Sequence, residues 1–264
     1  MTSDRFIERD GVRIHYLDQG RGTPVLLLHA YPLHGAMFQP QLDALASKYR
    51  FIVPDHRGFG KSGPPLAEAS EMAQLAGDAL AVLDALQIQQ AVIGGVSMGG
   101  YIAMALLNRA PERFKALILA DTQSTADDDA ARKKREEAAR KALESGMRGV
   151  AEAMLPQLLA PDTPESIRTK VTNLVLENSP QGAAAAQRGM ALRVDSAEAL
   201  SRYPGPSLVL VGEKDPITPP EKAKKLASLL KNATLVVIPN AGHLSNLESP
   251  GPFNHALDTF LSRI

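Results

Sequence analysis

Short continuous apolar runs recur along the first half of the chain, at 25–29, 51–54, 91–96 and 116–121. Runs without polar alternation are what a strand buried on both faces requires. Between them lie segments with apolar residues at helical spacing. In 36–48 these are Met37, Leu42 and Leu45; in 72–86 they are Leu75, Ala79, Leu80, Leu83 and Leu86; a third such segment ends near Asn108. Ahead of all of these, 6–17 alternates well enough for two short strands around a turn at Asp10-Gly11. Strand and helix therefore alternate, which predicts an α/β protein with a mostly parallel central sheet covered by helices on both faces.

The pattern changes after Asp121. From about Ser124 to Leu200 no strand is predicted, and 127–145, 150–159, 164–177 and 180–193 read as helices punctuated by Pro161, Pro164 and Pro180. Strands return at 207–212 and 234–238, with helices at 221–230 and 250–261. A helical block of this length inside an alternating pattern reads as an insertion over one end of the sheet. It divides the chain into a first core part (1–123), a helical cap (124–200) and a second core part (201–264). The charged run Arg132-Lys133-Lys134-Arg135-Glu136-Glu137 reads as a solvated helix face with no binding role.

Composition narrows the function classes. The chain has 264 residues, 44% of them hydrophobic, enough for one large core without staples. It has no cysteine, so disulfides, thiolate metal sites and a cysteine nucleophile are excluded. Lys plus Arg and Asp plus Glu are 29 each, giving zero formal charge, which argues against a nucleic-acid or membrane partner. The N-terminus has no apolar signal core and no run long enough to span a bilayer, so a soluble, cytoplasmic protein is expected.

The stretch that carries chemistry is Ala91-Val92-Ile93-Gly94-Gly95-Val96-Ser97-Met98-Gly99-Gly100. A β-branched apolar run stops at a serine set among glycines, and an apolar helix-compatible segment follows. Gly95-Val96-Ser97-Met98-Gly99 fits G-x-S-x-G, a nucleophile elbow. A strand-to-helix turn with glycines for packing would look the same over these positions, so the rest of the chain has to decide. A serine hydroxyl needs a base and an orienter for that base. In an open parallel sheet such groups sit at the carboxyl ends of strands. His243 follows the last strand and Asp215 the one before it; Asp121 also follows a strand. The chain order Ser97, Asp215, His243 is that of α/β-hydrolases.

On these residues the chain resembles the α/β-hydrolase superfamily across essentially its whole length. His29-Ala30-Tyr31-Pro32 resembles the family's H-G-x-P oxyanion loop, with alanine replacing glycine. Asp55-His56-Arg57-Gly58-Phe59-Gly60-Lys61-Ser62 resembles its D-x-R-G-x-G-x-S loop, and 212–219 and 241–243 resemble its acid and base loops. The details are most similar to small bacterial esterases, cofactor-independent haloperoxidase/perhydrolases and 3-oxoadipate enol-lactonases. The resemblance implies an α/β-hydrolase fold and a carboxylesterase-type serine hydrolase of short-chain esters. Its nucleophile would be Ser97, its base His243 and its acid Asp215, with Asp121 as the alternative acid position. Backbone N–H groups of Tyr31 and Met98 would form the oxyanion hole, and the reaction would need no cofactor or metal. The partner would be a small ester or lactone, and a homo-oligomer stays open. Alternatives are an enol-lactone hydrolase, a perhydrolase, or a ligand-binding protein of the same fold. His15, His29 and His56 read as structural, His34 as a loop residue or pocket-entrance group, His255 as peripheral, and Arg57 as a tie between adjacent loops. Met147, Met154 and Met190 are either core or the lining of an apolar acyl pocket.

Overall fold

The computed structural model describes residues 3–264. Eight strands form one sheet: β1 (Ser3–Arg9), β2 (Val12–Gly20), β3 (Pro24–Leu28), β4 (Arg50–Pro54), β5 (Ala91–Val96), β6 (Phe114–Ala120), β7 (Ser207–Gly212) and β8 (Ala233–Ile238). Their spatial order is β1-β2-β4-β3-β5-β6-β7-β8. β1 pairs antiparallel with β2 and β2 with β4, whereas every pair from β4 to β8 is parallel. The alternation of strand and helix translates directly into this arrangement, because parallel neighbours need a crossover between them.

Why the central strands are uniformly apolar is visible in β3. Leu26 and Leu28 point into one core, with Ile93 of β5 and the helices α2 (Met72–Ala85) and α3 (Met98–Arg109). Val25 and Leu27 point into the other, with Phe51, Val92, α1 (Gln39–Leu45) and the terminal α10 (Pro250–Leu261). Both faces are covered, so no position of the strand can be polar. β8 lies at the sheet edge and keeps Val237 exposed.

Between β6 and β7 the chain forms α4 (Asp129–Leu158), α5 (Glu165–Leu176), α6 (Pro180–Ala191) and α7 (Ala197–Arg202), without a strand. The Asp128 side chain caps α4 by accepting from the Ala131 N–H at 2.8 Å, and Ser179 caps α6 by accepting from Gly182 N–H at 2.9 Å. The helices expected at 127–145 and 150–159 are halves of α4, joined at Gly146, which is non-helical at φ 66°, ψ −172°. Asn178 fastens this block to the core: its side-chain amide donates to Pro32 O and its carbonyl oxygen accepts from Gly60 N–H, each at 2.8 Å. Glu248 does the same from the other side, accepting from Ala160 N–H at 2.8 Å and Thr163 Oγ1 at 2.5 Å.

After β7 come α8 (Pro220–Leu229), and after β8 the four-residue α9 (Ser245–Glu248). α7 and α9 went unpredicted because so few residues carry no periodicity. α1 is shorter than the expected 36–48, since Gly35–Phe38 forms a 3-10 turn first. Among the described residues no helix is long and apolar enough to cross a membrane.

Candidate active site

Ser97 sits where β5 ends and α3 begins, at φ 54°, ψ −113°, a region non-glycine residues rarely enter. The strain is held by packing that leaves no room for side chains around it. A Cβ on Gly99 would lie 1.9 Å from the Leu28 carbonyl oxygen, and one on Gly95 would lie 2.2 Å from the Gly99 backbone. Ser97 N–H donates to Ala120 O at 2.9 Å and Thr122 Oγ1 donates to Ser97 O at 2.9 Å, fixing the turn to β6 and its following loop. Its hydroxyl lies 2.7 Å from His243 Nε2.

His243 follows β8, and its backbone N–H donates to Leu158 O at 3.0 Å, at the end of α4. Its Nδ1 lies 2.8 Å from Asp215 Oδ2. Asp215 follows β7 and is itself fixed: Oδ1 accepts from the N–H groups of Ile217 at 2.8 Å and Thr218 at 2.9 Å, and Oδ2 accepts from Thr218 Oγ1 at 2.6 Å. Burial alone would raise the Asp215 pKa. The hydrogen bond and electrostatic pull of His243, with the bonds from Thr218, outweigh burial and hold the carboxyl below its ordinary value. The group therefore stays an anion beside the imidazole.

Asp121, the other acid after a strand, does something else. Oδ1 accepts from Gly212 N–H at 2.8 Å, and Oδ2 accepts from Ser245 Oγ at 2.6 Å. It ties the end of β6 to the end of β7 and to the turn after His243. Fully buried, it is pushed up to about 7, first by burial and then by the negative charge of Asp215.

The expected oxyanion loop brings Tyr31 to the cleft that Ser97 lines. The Tyr31–Pro32 peptide bond is cis. The backbone N–H groups of Tyr31 and Met98 have no acceptor among the described residues. The neighbouring histidines are structural: His29 Nε2 accepts from His56 N–H at 3.0 Å, and its Nδ1 faces Ala30 O at 3.1 Å. Burial drives both imidazoles far below the ordinary histidine value, His56 to about 3. Asp55 organises the adjacent loop by accepting from Gly35 N–H at 2.8 Å, Lys61 N–H at 2.9 Å and His15 Nδ1 at 2.7 Å. Arg57, expected to tie adjacent loops, reaches the β1–β2 turn through Arg9 O at 3.4 Å and Asp10 at 3.8 Å, and makes in addition a two-pronged bond to Asp78 of α2, at 2.6 and 2.7 Å. His34 pairs through Nε2 with Glu177, 2.9 Å away at the end of α5, and His255 is exposed on α10.

The cleft over Ser97 and His243 measures about 70 Å³. Its walls are Tyr31, Tyr101 and Ile217 from the core and Arg135, Met154, Leu158, Gln187 and Met190 from the helical block. Met154 and Met190 thus line it, while Met147 packs in the core. Arg135 corrects the reading of 132–137 as a solvated face. It lies on the inward stripe of α4 with Ala139 and Ala142, and that spacing of four and then three residues was the signal available in the sequence. Its Nε donates to Asp127, and Nη1 donates to Gln187 Oε1 at 3.0 Å; Nη2 has no partner among the described residues. Asp127 also pairs with Arg193 at 2.7 Å, so one carboxylate serves two guanidinium groups. Among the described residues no three His, Asp or Glu side chains form a set that could hold a metal ion.

A family model described as the alpha/beta hydrolase fold matches residues 23–250. The chain is 33% identical over 258 residues to 3-oxoadipate enol-lactonase 2 of Acinetobacter baylyi, covering 96% of this chain and 94% of that one. Among solved structures it is similar to a thermophilic esterase from Thermogutta terrifontis, determined with malate bound: TM-score 0.94, 34% identity, 100% of this chain and 98% of that one. It is also similar to the enol-lactonase from Burkholderia xenovorans, with TM-score 0.89, 27% identity, and 98% and 100% of the two chains covered.

Proposed function

The chain belongs to the α/β-hydrolase family, a family of hydrolases, and from that premise we propose that it is a serine carboxylesterase acting on short-chain esters. The observation that carries the reading is the unbroken line Ser97 Oγ, His243 Nε2, His243 Nδ1, Asp215 Oδ2, with contacts of 2.7 and 2.8 Å. Ser97 attacks the ester carbonyl as His243 takes its proton. The anionic Asp215 holds the imidazole in the tautomer that leaves Nε2 free to accept, and then stabilises the imidazolium. The Tyr31 and Met98 N–H groups, unpartnered and beside the serine, receive the oxyanion; each such donor contributes about 3 kcal/mol. His243 returns the proton to the alcohol, which leaves, and water repeats the sequence on the acyl-enzyme. No step calls for a cofactor. The small cleft supports a short acyl group, since each buried methylene gains about 0.8 kcal/mol only until the space is full.

A second reading rests on Arg135. The enol-lactone of 3-oxoadipate keeps one carboxylate free when the other closes the ring. A guanidinium with an unpartnered Nη2, at the wall of the cleft, suits such a group. The test is direct. A serine-directed phosphonate should label wild type at one site and leave Ser97→Ala untouched. Across p-nitrophenyl acetate, butyrate, octanoate and palmitate, kcat/KM should peak at the short end. A maximum at palmitate would sink the short-chain reading, and much faster turnover of an enol-lactone than of any open ester would favour the lactonase.

A further inference from the structure

A cavity of about 360 Å³, five times the cleft over Ser97, opens between α2, α3 and the segment joining α6 to α7. That volume is in the range that holds small molecules, about 300–1,000 Å³. Met72, Met104, Ala105 and Ala199 give it apolar walls, and Leu192 and Val194, both exposed, flank its mouth. Tyr101 is the one residue among those described that lines both this cavity and the cleft, which places it where the two spaces approach each other.

We propose that this cavity is a second compartment of the ester site, reached past Tyr101, for a neutral oxygen-bearing chain on one side of the scissile bond. The proposal rests on the ester-hydrolase reading above. Three observations carry it. First, no hydrogen bond to a described residue pins the Tyr101 hydroxyl; the ring is held by core packing and by the Arg193 guanidinium stacked 4.3 Å from its centre, so the passage requires a side-chain rotation that gives up that stacking. Second, Arg193 lines the cavity, is 7% exposed, and has a buried Nε with no partner. Its other nitrogens donate to Asp127 at 2.7 Å, Thr125 O at 2.9 Å and Met190 O at 3.0 Å. A buried donor left unpaired is unfavourable, and a ligand oxygen would relieve it. Third, the charge around the cavity selects the oxygen. Arg193 already has Asp127, whereas Glu71, Asp195 and Glu198 lie in the same lining. A carboxylate would meet repulsion there, so an ether, hydroxyl or carbonyl oxygen fits.

The experiment compares two ester series on wild type, Tyr101→Ala, and Tyr101→Ala with Ala105→Phe. One series lengthens the acyl chain of p-nitrophenyl esters; the other keeps acetate and lengthens the alcohol, with 2-alkoxyethyl esters beside alkyl esters of equal length. Tyr101→Ala should raise kcat/KM for an eight-atom chain relative to the shortest ester at least tenfold in one series. The responding series identifies the side of the bond that enters. Ala105→Phe should cancel that gain by refilling the cavity. If the alcohol series responds, alkoxyethyl esters should exceed their alkyl counterparts. A folded Tyr101→Ala with an unchanged profile in both series, or a gain that Ala105→Phe leaves intact, overturns the proposal. Should Tyr101→Ala fail to fold, Ala105→Phe alone should lower kcat/KM at least fivefold for the longest ester wild type accepts, relative to acetate; no fall overturns the proposal. Absence of any Ser97-dependent ester hydrolysis in wild type overturns the ester reading itself, a result distinct from an unchanged profile.

Discussion

His243 is gripped at three atoms: Nε2 faces Ser97, Nδ1 faces Asp215, and its backbone N–H is bound to Leu158 O. Replacing Asp215 by asparagine should therefore lower kcat by about 10⁴-fold, the loss typical when the imidazole is held in the wrong tautomer. Asp121→Asn should cost far less, since Asp121 bonds Gly212 and Ser245 but not the imidazole; the reverse ranking would move the acid to Asp121. Stability should respond to Asp121 in a defined direction. Its folded pKa is raised to about 7, so in the unfolded chain the carboxyl ionises first as pH rises. Its contribution is thus fully present below the ordinary aspartate value and is lost as pH climbs through the folded one. The thermal midpoint of Asp121→Asn should lie below wild type at pH 5, and the gap should narrow by pH 8. A gap that widens over that range would refute the raised value. The meeting of Ser97, His243 and Asp215 was legible in the sequence because each follows a strand and stands in a short local motif. Arg135 was not, because a charge run looks solvated unless its one inward residue is matched to the small alanines that share its stripe.

At the scale of elements, the sharp turn from β5 to α3 depends on the close approach of α3 to β3. The Cβ of alanine at 99 would lie inside the contact distance of the Leu28 carbonyl. Gly99→Ala should destabilise the protein by at least about 3 kcal/mol, read as the shift of a denaturant midpoint, and should abolish ester turnover. Retention of the wild-type midpoint would mean that the strand and helix are less closely packed. The strands were readable for the same reason this turn is crowded. Burial on both faces leaves only apolar residues in the runs and only glycine at the crossings. α9 was not readable: Ser245–Glu248 are shaped by tertiary bonds to Asp121 and Ala160, and local sequence contains nothing of those partners.

For the whole molecule, the relation of the helical block to the sheet is set by a few polar residues with distant partners. Asn178 lies 146 positions from Pro32 and 118 from Gly60, whose backbone groups it satisfies. No periodicity announces such a contact. Asn178→Ala leaves a buried carbonyl and a part-buried N–H unpaired, and should destabilise the chain by about 2 kcal/mol. Because Pro32 O belongs to the loop that carries the Tyr31 N–H, the same variant should also lower kcat on a short ester. Wild-type kcat together with reduced stability would separate the anchoring of the block from the chemistry.

The interruption of α4 at Gly146 has a consequence for how such a protein diversifies. The second leaf of the helix, ending at Leu158, holds the backbone of His243, so its position fixes that of the imidazole beside Ser97. The first leaf carries Arg135 to the cleft yet makes no hydrogen bond to Ser97, Asp215 or His243 among the described residues. The break confines a helical register to one side of the joint. Insertions, deletions or exchanges in the first leaf can therefore alter the Arg135 wall of the cleft without transmitting a rotation to His243. The first leaf thus contributes one wall residue, Arg135, that can be exchanged independently, whereas Met154 and Leu158 of the second leaf share the cleft with the segment that holds His243.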